Sequence, residues 1–215
     1  MGDQIHRLVV LEGTDGSGKA TQARLLEQEL AKAGIKCRRI SFPRYDSQSS
    51  ALVRMYLGGS FGEDPEAVNP YASSVFFSVD RYASFMTEWK EDYDSGVVII
   101  ADRYTTSNAV HQAEKLSGSG REDFLKWLFD FEYRLLKLPK PDLVVFLDMP
   151  SEKSFELMEK RQGTSGDIHE KDRQYLEKCR SNALDISRRF GWRRVDCVRG
   201  QEIRTPEDID RKSVV

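Results

Sequence analysis

LEGTDGSGKATQ, residues 11–22, lies between the apolar run RLVVL, ending at Leu11, and a segment with helical spacing. Gly13, Gly18 and Lys19 meet the pattern G-x-x-x-x-G-K. Glycines let backbone N–H groups converge on phosphate oxygens, the following helix turns its positive end toward them, and the lysine adds a full charge. Strand, glycine-rich turn and helix in that order make Gly13, Thr14, Asp15, Gly16, Ser17, Gly18, Lys19, Ala20 and Thr21 the expected cradle of a nucleoside triphosphate. Ala20 breaks the pattern, because a methyl group stands where a hydroxyl would reach the metal. Mg2+ takes several oxygen ligands, many of them waters, so carboxylates can replace that hydroxyl. Asp15 and Asp102, the latter ending the run VVIIAD, are the nearest candidates, with Glu12 a weaker third. Thr21 lies about 100° further round a helix and is not assigned to the metal.

Outward from the loop, RLVVLEG, GVVIIADRY and PDLVVFLDM are short apolar runs without polar alternation, as expected of strands buried on both faces of a parallel sheet. IKCRRISF and RRVDCV are weaker strand candidates, for about five in all. Helical spacing runs over Ala23–Ala33, Tyr71–Tyr93, Glu122–Leu138, Ser151–Arg161 and Asp172–Phe190. Gly34, Gly96 and the stretch LPKPD fall where this alternation needs breaks. The pattern predicts an α/β fold, a parallel sheet flanked by helices, formed by residues 1–215 as a single domain. RQGTSGDIHEKD, from Arg161, reads as a mobile lid over roughly residues 160–172. RTPEDIDRKSVV begins like a capped helix at Thr205 and stops early.

With 215 residues, 39% of them hydrophobic, the chain can bury one substantial core. Its 33 Lys and Arg nearly cancel 35 Asp and Glu, which argues against binding nucleic acid through bulk charge. Three cysteines without ligand spacing suggest neither disulfides nor a zinc site. No run approaches the roughly 18 apolar residues of a membrane span, and the N-terminus lacks a signal-peptide profile, so a cytoplasmic protein without a membrane partner is expected.

The loop does not name the acceptor. GTPases read their base with N-K-x-D, which is absent, and the arginine and aromatic clusters FPRY, FFSVDRY and DRYTTSNAVHQ suit a kinase of small molecules. Segments at the carboxyl ends of strands line the ligand crevice of an open α/β sheet, so Arg44 and Arg103 should both reach it. Phe77 and Arg81, four apart on a helix, pair a stacking ring with a charge. A kinase acting on another nucleoside monophosphate or a deoxynucleoside, or a nucleotide-binding switch without turnover, remains an alternative.

LEGTDGSGKATQ, FPRY, DRY with SNAVHQ, LPKPDLVVFLD and GDIHEKD together resemble the thymidylate kinase family, over about residues 5–190. The resemblance implies a P-loop kinase fold, commonly a homodimer, that phosphorylates dTMP with ATP and Mg2+. It also implies that Asp15 lies near the attacking phosphate and the metal, that Lys19 holds the β and γ phosphates, and that Arg44 and Arg103 contact the acceptor phosphate. Phe77 would stack on thymine, Arg81 would hydrogen-bond it, Asn108 and Gln112 would read base and sugar, and Tyr104 would form a pocket wall. His111 stands where some relatives carry a tyrosine near the sugar. The loop has Gly16 and Ser17 where some members place a basic residue, so the lid's Arg161, with Lys160 and Lys171 weaker, is the expected catalytic cation. Glu170 matches an acidic lid residue near the metal.

Overall fold

The computed structural model describes residues 7–162 and 173–209. Residues 163–172, most of the expected lid and with it Glu170 and Lys171, lie outside them. The side chains of Lys160 and Arg161 are likewise outside the description.

Five parallel strands form the main sheet in the order β2 (Cys37–Ser41), β3 (Val98–Asp102), β1 (Leu8–Glu12), β4 (Leu143–Asp148) and β5 (Arg193–Asp196). The central strands β1, β3 and β4 are buried nearly throughout, which is why their sequences show no alternation. The outer strands β2 and β5 bury one residue each and carry arginines, hence their weaker apolar signal. Leu11 stands opposite both Asp102 and Val145, so β1, β3 and β4 end together at one rim.

Helix α1 (Lys19–Lys32) leaves the phosphate loop with Gly18 at its N-cap in a left-handed conformation, φ 88°, and no side-chain cap. Its first amides are therefore left for an external acceptor. α2 (Ala51–Leu57) and α5 (Thr105–His111) are short helices that periodicity did not reveal. Six of the seven α5 residues are buried, so no polar face is present to set a period.

The expected helix over Tyr71–Tyr93 is three pieces. α3 (Pro70–Ser84), capped by Asn69, passes into a π-turn at Phe85–Trp89 and then into α4 (Lys90–Asp94). The wider turn drives Phe85 and Trp89 inward, against Tyr104, Ile99 and Phe42. α6 (Gly118–Phe129) likewise ends in a π-turn, Asp130–Leu135, which buries Glu132 completely. α7 (Ser151–Gln162) and α8 (Arg173–Arg189) bracket the lid segment.

Beyond β5 a two-stranded antiparallel hairpin, β6 (Val198–Arg199) and β7 (Glu202–Ile203), leads to a turn in which Thr205 Oγ1 accepts from Asp208 N at 3.2 Å. Ile209 joins the cluster of Leu11, Ala23 and Leu147, and Gln22 donates to the Pro206 carbonyl. The C-terminal segment is thereby packed on α1. Cys37, Cys179 and Cys197 are free thiols, and no helix among the described residues is long and apolar enough to cross a membrane.

Phe146, 1% exposed, packs against Val110, Tyr175, Cys179 and Ala183. Phe146→Ala is expected to cost about 3–5 kcal/mol. Urea unfolding should show the loss as a lower midpoint at unchanged slope.

Candidate active site

At the rim shared by β1, β3 and β4, the chain turns from Glu12 into the loop. Gly16 has φ +76°, and a Cβ there would lie 2.5 Å from the Ser154 carbonyl of α7. Backbone conformation and close approach thus both demand glycine. Lys19 Nζ is buried and donates to the Gly13 and Thr14 carbonyls, each at 2.9 Å. Burial lowers its pKa, and the nearby Arg103 charge acts in the same direction.

Arg103 follows β3 with φ +68°, unusual for a residue with a side chain. Its backbone N–H is held by the Leu11 carbonyl at 3.1 Å. That backbone aims the guanidinium across the rim, where Nη2 donates to Asp15 Oδ1 at 2.5 Å and Nη1 lies 3.2 Å from His111 Nε2. Burial alone would raise the Asp15 pKa, but the charges of Arg103, Lys19 and His111 and the Arg103 hydrogen bond outweigh it. They hold the carboxyl well below the usual carboxylate range. Burial opposes the charge on Arg103, and Asp15, Glu12 and Asp102 more than restore it.

Glu12 corrects one expectation. It is fully buried, and its oxygens accept from Gly13 N at 3.0 Å, Thr106 Oγ1 at 2.8 Å and Ser107 Oγ at 2.8 Å. This carboxylate is spent on structure and is not a metal ligand. Asp102 and Asp15 differ from it: no described residue hydrogen-bonds the Asp102 carboxylate, and Arg103 engages one Asp15 oxygen. No cluster of three or more His, Cys, Asp or Glu that could hold a metal occurs among the described residues. Two carboxylates with unengaged oxygens fit Mg2+, which keeps several waters and substrate oxygens in its shell.

Beside Arg103 opens a cavity walled by Asp15, Phe42, Tyr45, Phe77, Arg81, Tyr104, Asn108, His111 and Gln112. Phe77 stands edge-on to Tyr56 at 6.2 Å. Tyr104 is fully buried with its hydroxyl on the Pro139 carbonyl. Asn108 donates to the Ser74 carbonyl and Gln112 accepts from Ser73 Oγ.

Two arginines differ from their expected settings. Arg81 is 1% exposed and gives Nε and Nη2 to Glu132, so only Nη1 is left unengaged by a described residue. Arg44 does not line the cavity. Its backbone N–H donates to Asp80 at 2.8 Å, and its guanidinium pairs with Glu88 of the first π-turn. Glu132, Glu88, Ser107 and Asp80 were missed from sequence. Both glutamates are positioned by π-turns, for which no periodic signal exists; Asp80, beside Arg81 in SVDRY, was within reach.

The family profile described as thymidylate kinase matches residues 11–202. The chain is 29% identical to the thymidylate kinase of Mycobacterium tuberculosis (strain H37Rv) over 192 residues, 86% of this chain and 87% of the relative. It is 31% identical over 185 residues to the probable thymidylate kinase of Thermococcus onnurineus, with coverage of 85% and 84%. A solved thymidylate kinase structure from Candida albicans matches with a TM-score of 0.71 at 24% identity, covering 96% of this chain and 88% of that one.

Glu132→Ala would leave Arg81 buried without its carboxylate, a loss of about 3–5 kcal/mol measurable by urea unfolding. A second expectation concerns pH. The folded Asp15 pKa is depressed, so its stabilisation is fully present above the unfolded value near 3.8 and is lost as pH falls through that value toward the folded one. The urea midpoint difference between the parent and Asp15→Asn should therefore shrink as pH falls below about 4. A difference that widens below about pH 4 would contradict this.

Proposed function

The chain belongs to the thymidylate kinase family, and from that premise we infer that it transfers the γ-phosphoryl group of ATP to dTMP, giving dTDP and ADP. The observation that carries this reading is the position of Arg103. A left-handed backbone holds its guanidinium between the Asp15 carboxylate of the phosphate loop and the acceptor cavity. An acceptor phosphate needs cations there, whereas a nucleoside 5′-hydroxyl would need a general base. Asp15, with its pKa driven far down by Arg103 and Lys19, is a poor base. The site therefore favours a monophosphate over a free nucleoside.

Phosphoryl transfer asks the protein chiefly for alignment and for positive charge around the moving group. On binding ATP, Lys19 exchanges the Gly13 and Thr14 carbonyls for phosphate oxygens, and the uncapped amides at the start of α1 receive others. On binding dTMP, Arg103 keeps one nitrogen on Asp15 and turns another to the acceptor phosphate, while Arg44 exchanges Glu88 for the same group. Phe77 stacks on the base, and Arg81 Nη1, Asn108 and Gln112 supply hydrogen bonds at its edge and at the sugar. Asp15 and Asp102 would hold Mg2+, with Glu170 a further candidate, and the ion would supply positive charge that offsets the phosphates. Arg161 supplies a cation from the lid, which excludes water from the reacting groups. Residues 1–215 act as one domain, in the cytoplasm. Val79, Tyr82 and Met86, spaced three and four apart and 40–49% exposed, supply an apolar row for a homodimer.

A coupled assay of ADP release with a panel of nucleoside monophosphates tests the reading. dTMP should give the highest kcat/KM, and Arg103→Ala should lower it by about a hundredfold or more while leaving ATP affinity nearly unchanged. Absence of turnover with every monophosphate, or faster turnover with thymidine, would overturn it.

A further inference from the structure

A second cavity, of about 250 Å³, opens at the amino-terminal end of β4. It shares no wall residue with the acceptor cavity. Its walls are aromatic. Phe129 and Tyr133 stack with rings 5.7 Å apart and only 4° from parallel, and Phe190 meets Phe129 edge-on at 5.1 Å, with Trp192 also on the wall. Thr106, nearly buried, also lines the cavity.

Size and charge narrow the occupant. A dry apolar cavity of about 150 Å³ accepts benzene, so a space of 250 Å³ takes two fused rings. Aromatic walls favour an aromatic guest, which can stack on ring faces or meet ring edges. Lys140, exposed at the cavity, has no acidic partner among the described residues. The neighbouring Asp142 makes no ion pair with it; Asp142 Oδ2 instead accepts from the backbone N–H groups of Arg7 and Leu8 at 3.0 and 2.9 Å.

We propose that this cavity is a binding site for a planar two-ring aromatic anion, its rings between the Phe129–Tyr133 stack and Trp192 and its carboxylate on Lys140. Thr106 Oγ1 donates to Glu12, which in turn accepts from Gly13 N, so the site lies one hydrogen-bonded step from the phosphate loop's anchor.

1-Naphthoate is a suitable probe, titrated calorimetrically into the full chain and followed in parallel by tryptophan fluorescence. One equivalent should bind, saturating dTMP should not displace it, and Trp192→Phe should remove most of the fluorescence response. Lys140→Gln should weaken 1-naphthoate about two- to fivefold, the range of an exposed ion pair, while leaving the neutral 1-naphthylmethanol unchanged. Leu143→Trp, which fills the cavity, should abolish binding of both. No binding, displacement by dTMP, undiminished binding in a folded Leu143→Trp, or equal loss of both probes in Lys140→Gln would overturn the proposal.

Discussion

Burying the carboxylate of Glu12 is costly unless hydrogen-bond donors surround it, and the architecture of the loop is organised around supplying them. Gly13 N comes from the loop, Thr106 and Ser107 from α5, and the Arg103 guanidinium stands 3.8 Å away. Satisfying one buried charge thus locks the phosphate loop to the segment from Arg103 to Ser107 at the strand rim. The position of Arg103, and through it of Asp15, follows from that junction.

Each cation of the site among the described residues has an internal partner. Lys19 rests on two carbonyls, Arg103 on Asp15, Arg44 on Glu88 and Arg81 on Glu132. Ligand affinity is therefore a difference between two sets of contacts, and it is smallest where the existing partner is best. Arg81, fully buried against its glutamate, is the least free to change; Arg44, whose side chain is about one-third exposed, can exchange its partner readily. Entry of a nucleotide and rearrangement of these side chains therefore occur together.

The sheet was legible in sequence because β1, β3 and β4 are buried on both faces and carry almost nothing but aliphatic residues. Even the outer strands could be placed, since Ile40 and Val195 lie inside runs that recur with the βα rhythm. The phosphate loop was legible because its glycines and lysine answer to backbone geometry rather than to packing. Side-chain pairing was harder to read. Glu12 looked like a spare carboxylate, and only the three-dimensional approach of α5 shows that it is saturated. Arg81 and Phe77 were read as sharing one helix face, which Arg81 satisfies while turning most of its guanidinium to Glu132, fifty-one residues away in sequence. α5 escaped notice because an all-buried short helix has no amphipathic period to detect.

The two π-turns carry a consequence for how this chain can change. Each holds one residue more per turn than the flanking α-helix, so deleting a single residue from 85–89 or from 130–135 would straighten the helix. Because the wider turn absorbs the extra residue, the helix downstream would keep its phase. What would change is the outline of the turn itself, which carries Trp89 into the interior in the first case and sets Glu132 beside Arg81 in the second. Loss of one residue there is expected to disturb the turn and spare the helix beyond it.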